Sequence, residues 1–228
     1  MIDLHAHVLP GVDDGPSSLA DSLTLLRVMQ AQGVQTVVAA VHAFDGRYNV
    51  SREALLRAHE ALSAALEREG MAIRVVPSME LYLGFDLLAA VKRGEVVGLN
   101  GSPHLVVELP AREFPAYTER ALFELMMTGY RPLLVHPERN RGIQRNPDLL
   151  YRLVERGVRP MLTAASLLGH FSSEAERLAR EFLREGAADL IMSDAHDLSG
   201  RRPLLPEALA VARACGKADQ QAEATLLS

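Results

Sequence analysis

Met1-Ile2-Asp3-Leu4-His5-Ala6-His7 opens the chain, with apolar Ile2 and Leu4 alternating with polar Asp3, His5 and His7. Alternation at period two predicts a strand with the three polar residues on one face. Two imidazoles two positions apart on such a face reach the same ion. Each ring brings nitrogens that must be satisfied once buried, so the pair needs a partner. A polar edge strand with ordinary surface histidines is the competing reading, and the rest of the chain decides between them.

Outward from this stretch, apolar runs alternate with helical periodicity. Strands are expected over 1–7, 34–41, 72–77, 104–109, 131–135, 159–162 and 189–193. Between and after them, helices are expected over about 19–32, 51–69, 85–93, 114–128, 147–156, 172–185 and 205–214. Ser17 or Ser18, Ser51 and Ser172 are placed to cap helices, and Gly33, Gly70, Gly129, Gly157 and Gly186 to end them. The tail from Lys217 is weakly patterned and is expected to fray. Such alternation without a linker or repeat implies one α/β domain over 1–228, with parallel strands covered by helices. A closed barrel and a doubly wound sheet both fit it.

Polar residues decide between those two. Ligands in parallel α/β folds bind beyond the C-terminal ends of the strands. Six of the seven expected strands end in a metal-competent residue: His5 and His7, His42, Glu80, Glu108, His136, and Asp194 with His196. Only the sixth, running into Thr163, lacks one. A ring of donors from nearly every strand is easier to build in a closed barrel, which is the expected fold. Five imidazoles and up to four carboxylates, counting Asp14, exceed the needs of one ion and suggest two or three sharing bridges such as Glu80. The N/O donor set suits Mn, Fe or Zn, and without thiolates a structural zinc site is not expected.

The other candidates are weaker. His59 falls inside a helix and His104 at the start of a strand, so both are expected to be structural. His170 lies at the ligand-binding end without donor neighbours and is at most a substrate contact. Asp3 points deeper than His5 and is expected to orient rather than ligate. Asp13 and Asp14 precede Gly15, where either could simply shape a turn. Arg139, three residues after His136, and Arg201, five after His196, sit on loops at the metal end. A planar guanidinium fork suits phosphate, so the pair points to an anionic substrate.

Composition narrows the classes. The 228 residues are 48% hydrophobic and 23% charged with a net charge of −5, which supports a substantial core and disfavours a basic nucleic-acid face. Aromatics are 5% with no Trp, so base-stacking platforms are poorly supplied. No secretory signal and no apolar run long enough to span a bilayer is visible, and the one cysteine, Cys215, excludes an internal disulfide framework. A cytoplasmic location without membrane insertion is expected.

Six stretches resemble the PHP (polymerase and histidinol phosphatase) superfamily, specifically its bacterial protein-tyrosine phosphatase branch of the CpsB/YwqE type. They are the opening heptad, Val12-Asp13-Asp14-Gly15-Pro16, Glu80-Leu81-Tyr82, His136-Pro137-Glu138-Arg139, Thr163-Ala164-Ala165-Ser166-Leu167-Leu168-Gly169, and Ser193-Asp194-Ala195-His196 followed by Gly200-Arg201. The resemblance implies a distorted seven-stranded (β/α)7 barrel holding three divalent ions, usually Mn. Carried over, His5, His7, Glu80 and Asp194 would hold one ion; Glu80, Glu108 and His136 a second; Asp14, His42 and His196 the third. Arg139 and Arg201 would hold the phosphate. The implied substrate is a phosphotyrosyl protein, a bacterial tyrosine kinase of capsule or exopolysaccharide control. Ala40-Val41-His42 departs from the Thr-Pro-His or Thr-Ser-His common there, though the histidine is kept.

The expected reaction is phosphomonoester hydrolysis by a metal-activated hydroxide, with His196 or His42 assisting the leaving group. A cysteine-based tyrosine phosphatase needs Arg six residues after its Cys, and Gln221 stands there. A carboxylated-lysine amidohydrolase is disfavoured because neither lysine, Lys92 or Lys217, follows a strand suitably. Histidinol-phosphate phosphatase is the nearest rival, a PHP nuclease fits the charge poorly, and an inactive metal-binding regulatory domain is the non-enzyme alternative.

Overall fold

The computed structural model describes residues 1–215 and 225–227. Its framework is a seven-stranded parallel sheet in sequence order: β1 (Ile2–Ala6), β2 (Thr36–Ala43), β3 (Arg74–Tyr82), β4 (His104–Glu108), β5 (Arg131–Val135), β6 (Arg159–Thr163) and β7 (Leu190–Met192). The sheet curls until its edges meet. Ala6 bridges Ala195, the His7 amide donates to the Ala195 carbonyl at 2.8 Å, and the Asp194 amide donates to the His5 carbonyl at 3.0 Å. Asp3 reinforces this seam, its Oδ1 accepting from the Ser193 amide at 3.0 Å and the His5 amide at 3.3 Å. Asp3 therefore clasps β1 to β7 rather than orienting a histidine ring, the role expected of it.

Around the sheet run α1 (Leu19–Ala31), α2 (Arg52–Arg68), α3 (Leu87–Lys92), α4 (Thr118–Met127), α5 (Arg141–Arg145), α6 (Asp148–Glu155), α7 (Ala164–Leu167), α8 (Ser173–Glu185) and α9 (Leu205–Ala214). Ser18, Ser51 and Ser172 each cap a helix by accepting an amide N–H into the side-chain oxygen. Most strand and helix positions agree with the sequence expectation to within a few residues. Two differences matter. β3 continues through Glu80 to Tyr82, so Glu80 projects from within the strand rather than after it. Two short helices, α5 and α7, are missing from the periodicity, being too short for an apolar stripe to register.

Two apolar layers follow from the curl. Leu4, Val38, Val76, Val106, Leu133, Met161 and Leu190 fill the barrel interior, while the larger cluster joins the outer sheet surface to the helices. Burial on both faces explains why the strands read as nearly continuous apolar runs. Leu226, in a short turn at 225–227, is buried against the interior cluster beside the N-terminal ends of β4–β6. The Ser102 hydroxyl donates to its carbonyl at 3.1 Å. The stretch 217–224, part of the tail expected to fray, lies outside the described residues.

Candidate metal centre

With the interior filled by apolar side chains, the polar residues are lifted to the C-terminal mouth. Glu80 is their hub. Its Oε2 lies 3.1 Å from both His5 Nε2 and His7 Nε2, and its Oε1 lies 3.2 Å from His136 Nε2. The two oxygens of one carboxylate thus face two different groups of imidazoles, the geometry a bridging ligand needs. Glu108 Oε1 stands 3.8 Å from His136 Nε2, and Glu108 Oε2 3.9 Å from His42 Nδ1. On the other side, Asp14 Oδ1 is 3.4 Å from His42 Nε2 and 3.3 Å from His196 Nε2. Asp194 Oδ1 approaches His5, His7 and His196 at 3.8, 3.9 and 4.0 Å.

Among the described residues, three groups have donor atoms close enough to share an ion: His7, Asp14, His42 and His196; His5, His7 and Glu80; and His42, Glu80 and Glu108, with His42 in the place expected of His136 and Asp194 outside all three. They overlap, because the His7 ring stacks on His196 at 4.0 Å and His42 reaches toward Glu108. Chemistry supports a cation here. Asp14 Oδ1, His42 Nδ1 and His196 Nε2 are buried without a hydrogen-bond partner, which is costly unless something electropositive joins them.

Backbone strain aims two of the side chains. His136 and Asp194 adopt left-handed conformations at φ 37° and 54°, turning the chain sharply as β5 and β7 end. Non-glycine residues in this region cost about 1 to 3 kcal/mol, and such outliers cluster at functional sites. Gly15 serves a close approach: a Cβ there would lie 2.8 Å from the His7 carbonyl oxygen. Only glycine lets the Asp13–Asp14 loop fold down onto β1.

That loop settles the two aspartates. Asp14 faces the cluster. Asp13 turns behind it, with its Oδ2 2.8 Å from His7 Nδ1 and accepting the His42 amide at 3.2 Å. By engaging Nδ1, Asp13 leaves Nε2 of His7 as the atom presented to the mouth.

Electrostatics follows from this crowding. Burial opposes ionisation of Glu80, but His5, His136 and His7 outweigh it and hold the carboxyl well below its usual range. Burial likewise opposes ionisation of Asp194, yet Arg139 and neighbouring imidazoles bring it to about 2. Burial and the adjacent His7 lower the His196 ring, favouring the neutral form that carries a free lone pair.

Arg139 and Arg201 lie at the rim as expected, with one addition. Arg139 Nη1 donates to Asp194 Oδ2 at 2.7 Å, and Arg201 Nη2 donates to Asp14 Oδ2. Each arginine grips the outer oxygen of a carboxylate whose inner oxygen joins the cluster. Pockets of about 120 Å³, lined by Glu108, His136, Arg139 and Asn140, and about 390 Å³, lined by Asp14, Ser17, His196 and Leu198, flank the cluster.

His59 instead packs on α2 with its Nε2 3.0 Å from the Val75 carbonyl, and His104 sits at the opposite end of the barrel beside Ser102. His170 is exposed between α7 and α8. Sequence reasoning gave no role to Glu138, although it belongs to a quoted motif. It is fully buried, its Oε1 accepts the Thr163 amide at 3.1 Å, and it thereby ties the loop carrying His136 and Arg139 to the end of β6. The strand without a ligand supplies this anchor.

The profile of the capsular polysaccharide synthesis family CpsB/CapC matches residues 1–227. The chain belongs to the CpsB/CapC family. Among relatives, it is 33% identical over 211 residues to the tyrosine-protein phosphatase YwqE of Bacillus subtilis, covering 92% of this chain and 83% of YwqE. It is also 33% identical over 207 residues to the putative tyrosine-protein phosphatase CapC of Staphylococcus aureus, covering 91% and 81%. Crystallography of YwqE and of CpsB from Streptococcus pneumoniae describes them as unique metal-dependent tyrosine phosphatases; the matching chain superposes with a TM-score of 0.88 at 33% identity over 92% of this chain and 85% of its own. Histidinol phosphate phosphatase of Lactococcus lactis shares the fold, with a TM-score of 0.59 at 11% identity, over 95% of this chain and 94% of its own. The CpsB/CapC barrel of this chain is thus of the PHP type implied by the six-stretch resemblance, and no helix among the described residues is long and apolar enough to cross a membrane.

Proposed function

We propose that this CpsB/CapC protein is a metal-dependent phosphomonoesterase that removes phosphate from tyrosine on proteins. The observation that carries this reading is Glu80 between two sets of imidazoles, with Arg139 and Arg201 at the rim. Similarity to YwqE and CapC, named as tyrosine-protein phosphatases, supports the phosphotyrosyl substrate. A tyrosine kinase governing capsule or exopolysaccharide synthesis is the proposed partner, and the cytoplasm the proposed location.

Three divalent ions, Mn in the first instance, are the proposed cofactors. His5, His7, Glu80 and Asp194 would hold one, Glu80, Glu108 and His136 a second, and Asp14, His42 and His196 the third. Bound there, the ions supply Lewis acidity and a nucleophilic water at neutral pH. The chain's residues do the rest. Arg139 and Arg201 bind the phosphoryl oxygens and offset the charge gathered on them in the transition state. Asp13 and Glu138 hold His7 and the Arg139 loop in place. As ligands of the third ion, neither His42 nor His196, the residues expected to assist the leaving group, would have a proton to hand to the departing oxygen. A phenolate departs readily, having a pKa of about 10, so this proton matters less than phosphate positioning.

Phosphate release from a phosphotyrosyl peptide and from histidinol phosphate, measured side by side with Mn, tests the reading. Peptide preference abolished by chelation is expected. Preference for histidinol phosphate would move the protein to the other activity of this fold, and silence on both with metal bound would favour a binding domain.

A further inference from the structure

We propose that Phe171 is a positioning residue for phosphate recognition, acting through Arg139. This rests on Arg139 being a phosphate ligand. The Arg139 guanidinium carbon lies over the Phe171 ring, 4.2 Å from its centroid, while Nη1 is held at its edge by Asp194. A guanidinium fixed at one edge and on one face keeps its plane, so its remaining N–H groups point in a set direction.

The placement of Phe171 has no other evident cause. It precedes Ser172, the N-cap of α8, where an apolar residue ordinarily packs against the fourth residue of the helix. That residue is Glu176, which pairs with Arg180 at 3.0 Å and offers no apolar partner. The ring remains 40% exposed and turns to the arginine instead. Two other aromatics near the rim are engaged elsewhere, Tyr48 stacking on His42 and Phe85 packing at a tilt against Tyr117.

Both flanks of Phe171 are pinned, so the ring sits on a rigid stub. On one side the His170 amide donates to the Ala165 carbonyl at 2.9 Å, closing α7 through Gly169 at φ +76°. On the other, Ser172 Oγ accepts the Ala175 amide at 3.1 Å. α7 and α8 thus present one aromatic face to a guanidinium carried by the loop after β5.

The test is a double-mutant cycle on the Mn-loaded protein, reading inorganic phosphate affinity by calorimetry and KM against kcat on a phosphotyrosyl peptide. Phe171→Leu, which keeps apolar bulk but loses the aromatic face, is expected to weaken phosphate binding and raise KM by about fivefold, with a smaller change in kcat. Phe171→Tyr should restore both. In an Arg139→Met background, Phe171→Leu should change neither, because the contact it breaks is already gone. An unchanged affinity in Phe171→Leu, a loss that persists at full size without Arg139, or no rescue by Tyr overturns the inference. If Arg139→Met itself leaves phosphate affinity intact, the reading of Arg139 falls first and takes the inference with it. A wild type that binds phosphate through Arg139 but ignores the peptide would leave the inference standing and remove the proposed substrate.

Discussion

Asp13 Oδ2 sits 2.8 Å from His7 Nδ1, on the far side of the ring from the cluster, whereas Asp14 beside it faces inward. Two adjacent identical residues thus carry different duties. Asp13→Asn keeps the shape but weakens the acceptor that fixes the ring. Metal affinity should fall by about 10- to 100-fold, as for other residues that orient metal-binding histidines. Asp14→Asn should instead remove one ion outright. Metal titration followed by elemental analysis separates the two, and equal losses would contradict the division.

Glu80→Ala removes a carboxylate whose two oxygens serve separate groups. Bound metal should fall by more than one equivalent, with turnover reduced at least about 10³-fold. Near-normal activity in this variant would rule out the shared bridge.

Arg139→Met and Arg201→Met should each lower kcat/KM by about 10²-fold. Each arginine also steadies the outer oxygen of Asp194 or Asp14, so a modest fall in metal affinity should accompany the loss, with most metal retained. Parallel kinetics and metal analysis check this, and complete metal loss would make the arginines structural.

His104 tests pH dependence away from the metal centre. Burial and the guanidiniums of Arg131 and Arg159 lower its ring pKa from the ordinary 6.5. The unfolded chain therefore takes up a proton below about 6.5 that the folded state resists. The stability this neutral ring contributes is complete above the unfolded value and declines as pH falls through it. The Tm of wild type should exceed that of His104→Gln by more at pH 8 than at pH 5. An advantage that grows on acidification would reverse the sign.

Most of this architecture is legible because its pattern is local. Donors at successive strand ends need only periodicity and the geometry of parallel strands. What escaped the sequence depends on direction or long-range approach. Nothing in Asp13-Asp14 says which carboxylate turns back, since the answer lies in Gly15 packing on the His7 backbone. The Arg139–Asp194 and Arg201–Asp14 pairs join residues 55 and 187 positions apart. Glu138 could be read as a solvated loop acid until Thr163 is seen against it.

The seam between β1 and β7 gives the molecule a weak direction. It is held by the Ala6–Ala195 bridge and the Asp3 clasp, where the other strand pairs have longer ladders. His5 and His7 stand on one lip and Asp194 and His196 on the other. On warming, those lips are expected to part first, separating the donors before the helices unfold. Warming should therefore extinguish catalysis at temperatures where the circular dichroism is still native, and cooling should return it.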